Sequence, residues 1–272
     1  MDSKVNNKIW LWLKDPYNLA LVGILVLAFV LRLYYFILTK SQPLWWDEAA
    51  YGSLAKNFLY HLWDGSDFIA TEKFIRPPLF FIPWAVLLLL GFGETGTRFI
   101  LEFIPSILSV FFVYLIAKEM YDKKIALISS LLFSVLWIHL FYTGRLLVHM
   151  PELAFLFLSI YYFIKSSKQN FDNKEFAISI FLLSIATMVR YTNGMFFLIF
   201  AVYFLINKKL TFIKDKKFWK YILIGLAPLI IFFLINYFVA GNIFPALFGG
   251  QYLKPIGEKQ GQIQPFAYSF LS

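Results

Sequence analysis

Leu19 to Leu38 is an uninterrupted apolar run of 20 residues. That is enough, as a helix, to cross the hydrocarbon core of a bilayer, and it rules out most soluble folds for the chain. Six further apolar runs follow: 99–117, 125–143, 151–164, 176–189, 194–206 and 221–240. Composition agrees. The 272 residues are 60% hydrophobic and 15% charged, where a soluble domain is nearer half apolar and a quarter charged. We read an all-α polytopic membrane protein of about seven transmembrane helices. No polar stretch is long enough to bury a separate soluble core. The chain has no cysteine, which excludes disulfides, thiolate metal sites and a cysteine nucleophile.

The segment 79–92 is apolar but only 14 residues long, holds Pro83, and follows Arg76-Pro77-Pro78. Its length suits an interfacial or re-entrant helix better than a crossing. With 79–92 lying flat, residues 1–18, 118–124, 165–175 and 207–220 share one side and carry 15 Lys/Arg in 50 residues. The other side has 9 in 103. The positive-inside rule then makes the N-terminus cytoplasmic and explains the net charge of +9 without nucleic acid. Lys4, Lys8 and Lys14 before an apolar run too long for a signal peptide predict an uncleaved anchor. The expected divisions are a cytoplasmic segment 1–18, a transmembrane module 19–240 and an extracytoplasmic segment 241–272. Within the module, residues 39–98 form the first extracytoplasmic loop, with juxtamembrane helices that include an amphipathic Ser53–Leu62. Arg32, two turns from the end of its span, is expected to snorkel to the interface.

This orientation collects the chemistry-bearing residues on the non-cytoplasmic side. Asp47 and Glu48 follow two tryptophans where the first span meets water. Arg76 precedes Pro-Pro. Arg145, His149 and Glu152 cluster at a span boundary, as do Arg190, Tyr191 and Asn193. Carboxylates and arginines converging at a lipid–water boundary suit a reaction on a lipid-linked phosphate. Arginine offers a fork of donors matched to phosphate oxygens. A carboxylate can deprotonate an acceptor hydroxyl or hold a divalent cation, here Asp47 with Glu152. Each residue also has a plainer reading. Asp47, Glu48 and Glu152 are acids in the first turn of helices, where the dipole favours them. Arg145 and Arg190 are interfacial anchors, Arg98 opens a span at the headgroups, and His149 is a lone interfacial histidine.

Trp46-Asp47-Glu48-Ala49, Arg76-Pro77-Pro78-Leu79-Phe80-Phe81 and Gly93-Glu94 with Arg98 together resemble the GT-C glycosyltransferases. The resemblance is to the branch of protein O-mannosyltransferases and aminoarabinose transferases that share the PMT domain, and it spans residues 19 to about 240. It implies a seven-span module with two juxtamembrane helices in the first loop. It also implies transfer of a sugar, with inversion, from a polyprenyl (dolichyl-type) phosphate to a protein, lipid or glycan acceptor. By that resemblance Asp47 is the catalytic base, assisted by Glu48. Arg76, Arg145 and Arg190 hold the donor phosphate, while Glu152, Tyr51 and Tyr191 line the pocket. The chain ends where relatives continue with further spans, so a truncated module is expected. That leaves a non-catalytic binding or assembly subunit as the alternative. A lipid-linked-sugar transporter fits less well, because its charges would spread along a transmembrane path.

Overall fold

The computed structural model describes residues 11–64, 76–169, 171, 174–208, 216–240 and 243. It is an all-helical protein with no strand among those residues. Helix α1 (Pro16–Thr39) starts on Asp15, whose carboxylate accepts from the Tyr17 N–H at 3.0 Å. Helices α2 (Asp47–Asp64), α3 (Pro78–Leu89) and α4 (Gly93–Arg98) form the first interhelical region. Helix α4 runs through a π turn, Phe99–Phe103, into α5 (Ile104–Met120). Then come α6 (Lys123–Ser134), α7 (Trp137–Tyr142), α8 (His149–Ser167) and α9 (Lys174–Val189). A 3₁₀ turn at Tyr191–Gly194 leads into α10 (Met195–Lys208), followed by α11 (Lys216–Ala240). Each of the seven long apolar runs is helical. Three helices are long and apolar enough to cross a membrane on their own: Pro16–Thr39, Gly93–Met120 and Lys216–Phe238.

The irregularities have local causes. Pro105 lacks the N–H that would bond Leu101, and its ring presses on that carbonyl. The chain accommodates this by widening the preceding turn to π geometry. Pro83 acts likewise on Leu79, which leaves helical geometry at ψ 19°. The 12 residues of α3 span roughly 18 Å, short of the ~30 Å hydrocarbon core. The helix packs by Phe80, Phe81, Trp84 and Ala85 into the core beneath α2.

Arg32 corrects the expectation of snorkelling. Its side chain is fully buried. It donates to the carbonyls of Ala28 (3.1 Å) and Ser134 (3.0 Å) and meets His139 Nδ1 at 2.9 Å. The run 125–143 breaks into α6 and α7 at this point, freeing carbonyls for the arginine. A buried guanidinium is tolerated here because backbone oxygens replace its hydration.

Helix α8 packs between α5 and α9, and α9 in turn against α11; α1 closes the row on α5 and α6. The α8–α9 seam is tight because Ser159 and Ser179 each donate to the other's carbonyl, at 2.8 and 2.9 Å. Gly225 of α11 lies directly on Ile180, where a β-carbon would not fit, and Ser184 donates to the Gly225 carbonyl at 2.9 Å. Small residues and hydroxyls that bring backbones close replace the hydrophobic drive that lipid does not supply. At one end of the bundle, ion pairs join helix termini: Asp15–Lys123, Glu119–Lys168 and Lys165–Glu175. The opposite end gathers the segments 40–47, 76–98, 143–149 and 190–194.

Candidate functional site

Asp47 is the first residue of α2. The preceding Trp46 is forced to φ +46°, a left-handed conformation costly for a bulky side chain and concentrated at functional positions. The Asp47 carboxylate is 63% exposed and takes an ion pair from Arg76 Nη2 at 3.0 Å. The Arg76 guanidinium also stacks 4.8 Å above the Tyr51 ring, as a cation over an aromatic face. Burial works against the Arg76 charge. The hydrogen bond to Asp47 and the nearby Tyr51 outweigh it and raise its pKa above the ordinary guanidinium value. Tyr51 is buried, edge-on against Phe80 at 5.0 Å. Burial raises its phenol above the usual pKa of 10 despite the opposing charges of Arg76 and, further off, Arg190.

Glu48 points the other way. Its side chain is 1% exposed. Oε1 accepts from the Leu146 N–H at 2.7 Å and faces Arg98 Nη1 at 3.4 Å, while Oε2 accepts from Trp45 N–H at 3.1 Å and Arg145 Nη1 at 3.3 Å. Arg98 does not sit among headgroups. It is fully buried and donates to the carbonyls of Gly144 (2.6 Å) and Gln42 (3.0 Å). Arg145 lies over the rings of Trp45 and Phe141. Gly144 is required here, since a β-carbon would collide with Thr39 Oγ1 at the end of α1.

The third group lies at the start of α8 and the end of α9. Arg190 Nη1 donates to Glu152 Oε1 at 2.8 Å and meets His149 Nδ1 at 3.1 Å. Asn193 in the 3₁₀ turn donates to Glu152 Oε2 at 3.3 Å and to the Ala186 carbonyl at 3.0 Å. The Arg190 side chain remains 40% exposed while Glu152 is 9% exposed. Tyr191 packs toward Phe232, 6.3 Å between rings. One apolar cluster, including Tyr51, Phe80, Leu146, Val189 and Phe232, underlies all three groups.

Asp47, Arg76, Tyr51, Arg145, Glu152 and Arg190 thus share one end of the bundle, and Glu48 is withdrawn beneath them. His149, assigned from sequence to the interface, is a partner of Arg190. Asp67, Glu72, Lys73 and nearly all of 241–272 lie outside the described residues. The expected cation site does not fit. Asp47 and Glu152 are each neutralised by an arginine, and no group of three His, Cys, Asp or Glu able to hold a metal occurs among the described residues. Sequence reasoning passed over Glu102, which is fully buried. Its one signal was an acid four residues after Arg98 inside an otherwise apolar run.

A helical bundle with membrane-crossing segments and paired carboxylates and arginines gathered at one end defines an integral membrane protein with an anion-compatible terminal site. Residues 76–236 match the model of the dolichyl-phosphate-mannose-protein mannosyltransferase family. That is more than half of the chain, which belongs to this family of membrane glycosyltransferases acting on dolichyl-phosphate-linked sugars. Asp47 and Glu48 precede the matched region. No curated protein and no solved structure matches the chain.

Proposed function

We propose that the protein transfers a sugar from a polyprenyl (dolichyl-type) monophosphate to a protein, lipid or glycan hydroxyl on the extracytoplasmic side, with inversion at the sugar carbon. The observation that carries this reading is Asp47: a solvent-facing carboxylate, preceded by a strained residue and paired with Arg76, at the same end as the half-buried Arg190.

Asp47 accepts the proton of the acceptor hydroxyl as the acceptor oxygen bonds the anomeric carbon. The bond from that carbon to the phosphate oxygen breaks on the opposite face, and the polyprenyl phosphate leaves with the electron pair. Arg190 and Arg145 stabilise the departing phosphate with charge-assisted hydrogen bonds. Arg76 orients the Asp47 carboxylate, and Tyr51 fixes Arg76 from below. Glu48 acts from underneath, holding Arg145 and the 144–146 backbone in place. Glu152 orients Arg190. No step uses a metal.

The test is transfer of labelled sugar from a polyprenyl-phosphate donor by the purified protein. Asp47→Asn keeps the shape but not the base, and turnover is expected to fall about 10²–10⁴-fold with donor binding retained. Full activity in Asp47→Asn removes the proposed base. Donor binding without turnover in the wild type points instead to a binding subunit.

A further inference from the structure

Serine and glycine contacts draw α8, α9 and α11 together, whereas α10 rests on them through phenylalanine rings. Phe200 stacks on Phe163 at 3.8 Å between centroids, and Phe204 on Phe218 at 4.6 Å. Rings of this bulk hold α10 off its neighbours and leave a cavity of about 230 Å³. Its walls include Phe163 of α8, Ile180 of α9, Phe200 of α10, and Phe218, Ile222 and Leu226 of α11. No charged side chain lines it among the described residues. Leu205 of α10 and Trp219 of α11 line it and are also exposed, so it opens between these two helices. A lining of this chemistry excludes water and takes a hydrocarbon.

The end of the bundle where the cavity begins is the one opposite Asp47 and Arg190, and it is basic. Lys174 opens α9, Lys208 closes α10, and Lys216, Lys217 and Lys220 lie in the opening residues of α11. Lys174, Lys216, Lys217 and Lys220 are exposed. The acid among these helix ends, Glu175, is taken by Lys165 at 3.3 Å. Trp219, flanked by lysines, suits the depth of lipid headgroups. From Phe218 to Leu226 the cavity follows α11 for about 12 Å, which stays within the roughly 15 Å of hydrocarbon in one leaflet. Apolar space at acyl-chain depth thus lies directly below cations at headgroup depth. That combination recognises a lipid with a negatively charged head.

We infer that the cavity between α10 and α11 is a binding site for an anionic phospholipid, with an acyl chain against Phe200, Ile222 and Leu226 and the headgroup phosphate on Lys216, Lys217 and Lys220. The site does not rest on the function proposed above, whose phosphate ligands are at the other end.

The test titrates the delipidated full chain in detergent with phosphatidylglycerol or phosphatidylcholine of the same acyl chains and reads retained lipid by native mass spectrometry. Wild type is expected to hold phosphatidylglycerol at least about ten-fold more tightly. Changing Lys216, Lys217 and Lys220 together to Gln is expected to bring it down to the phosphatidylcholine level. Ala201, which lines the cavity, gives the second variant. Ala201→Phe fills the space and is expected to weaken phosphatidylglycerol roughly ten-fold with every lysine in place. Equal retention of the two lipids by wild type overturns the inference. So does a preference that survives the lysine change, or one untouched by Ala201→Phe. If Ala201→Phe does not fold, Ala201→Leu takes its place with the same two readings. Polyprenyl monophosphate that is weakened by filling the cavity but not by the lysine change assigns the space to the donor tail, and that too overturns the inference.

Discussion

Replacing Glu48 by Leu tests whether the acid behind Asp47 holds the site together. The substitution leaves Arg98 fully buried without a carboxylate. Breaking a buried pair by removing one partner costs about 3–5 kcal/mol. Arg98 keeps the Gly144 and Gln42 carbonyls, which lowers the cost. The Leu146 and Trp45 N–H groups lose their acceptor, which raises it by about 1 kcal/mol or more. The net expectation is about 4 kcal/mol. At roughly 2–4 °C per kcal/mol for a chain of this size, the unfolding midpoint falls by roughly 8–16 °C. The assay is thermal unfolding in detergent at one fixed heating rate, because membrane proteins often unfold irreversibly. The companion variant Glu48→Leu/Arg98→Met removes both charges. It is expected to recover part of the loss, since an apolar replacement for a whole buried pair is often tolerated. A shift under about 2 °C for Glu48→Leu, or full additivity in the double variant, refutes the claim that a buried ion pair organises this end.

Arg190→Ala removes the partner of Glu152 and, on the proposed function, a phosphate ligand, so the donor KM should rise about 10–100-fold in initial-rate assays, with Arg190→Lys in between. Tyr51 titrates above pH 10 when folded. A raised folded pKa means that the unfolded chain loses this proton first, so the Tyr51 contribution to stability fades as pH rises above about 10. A pH–stability comparison of wild type with Tyr51→Phe should show the wild type losing more at alkaline pH. Gly144→Ala should lower the melting point through collision with Thr39 Oγ1, and Thr39→Ala should restore part of it.

Much of the fold was legible because lipid forces helices on any long apolar run. The shortness of 79–92 and its prolines agree with a helix of only 12 residues there, too short to count among the candidate crossings. Arg32 was misread because distance to a helix end says nothing about which face meets a neighbour. The break between α6 and α7 that accommodates it has no proline to announce it. Clustering of Asp47, Arg76, Glu152 and Arg190 followed from sidedness alone. The division of labour between Asp47 and Glu48 did not. Adjacent helical residues point about 100° apart, and only the packing of α2 decides which one meets water. Glu102 was hidden by its register, which depends on the π turn before Pro105.

The serine-to-carbonyl exchange between α8 and α9, and the glycine contact of α9 with α11, clamp three helices almost backbone to backbone. Rods so interlocked have little room to slide or tilt. Helices α2 and α3 rest on this clamp through side chains alone, with Tyr51, Phe80 and Phe81 in one cluster with Met188, Val189, Leu229 and Phe232. On the proposed function, the clamped helices hold Arg190 and Glu152 while α2 holds Asp47, so the spacing of base and phosphate ligand depends on how α2 and α3 seat on α9 and α11.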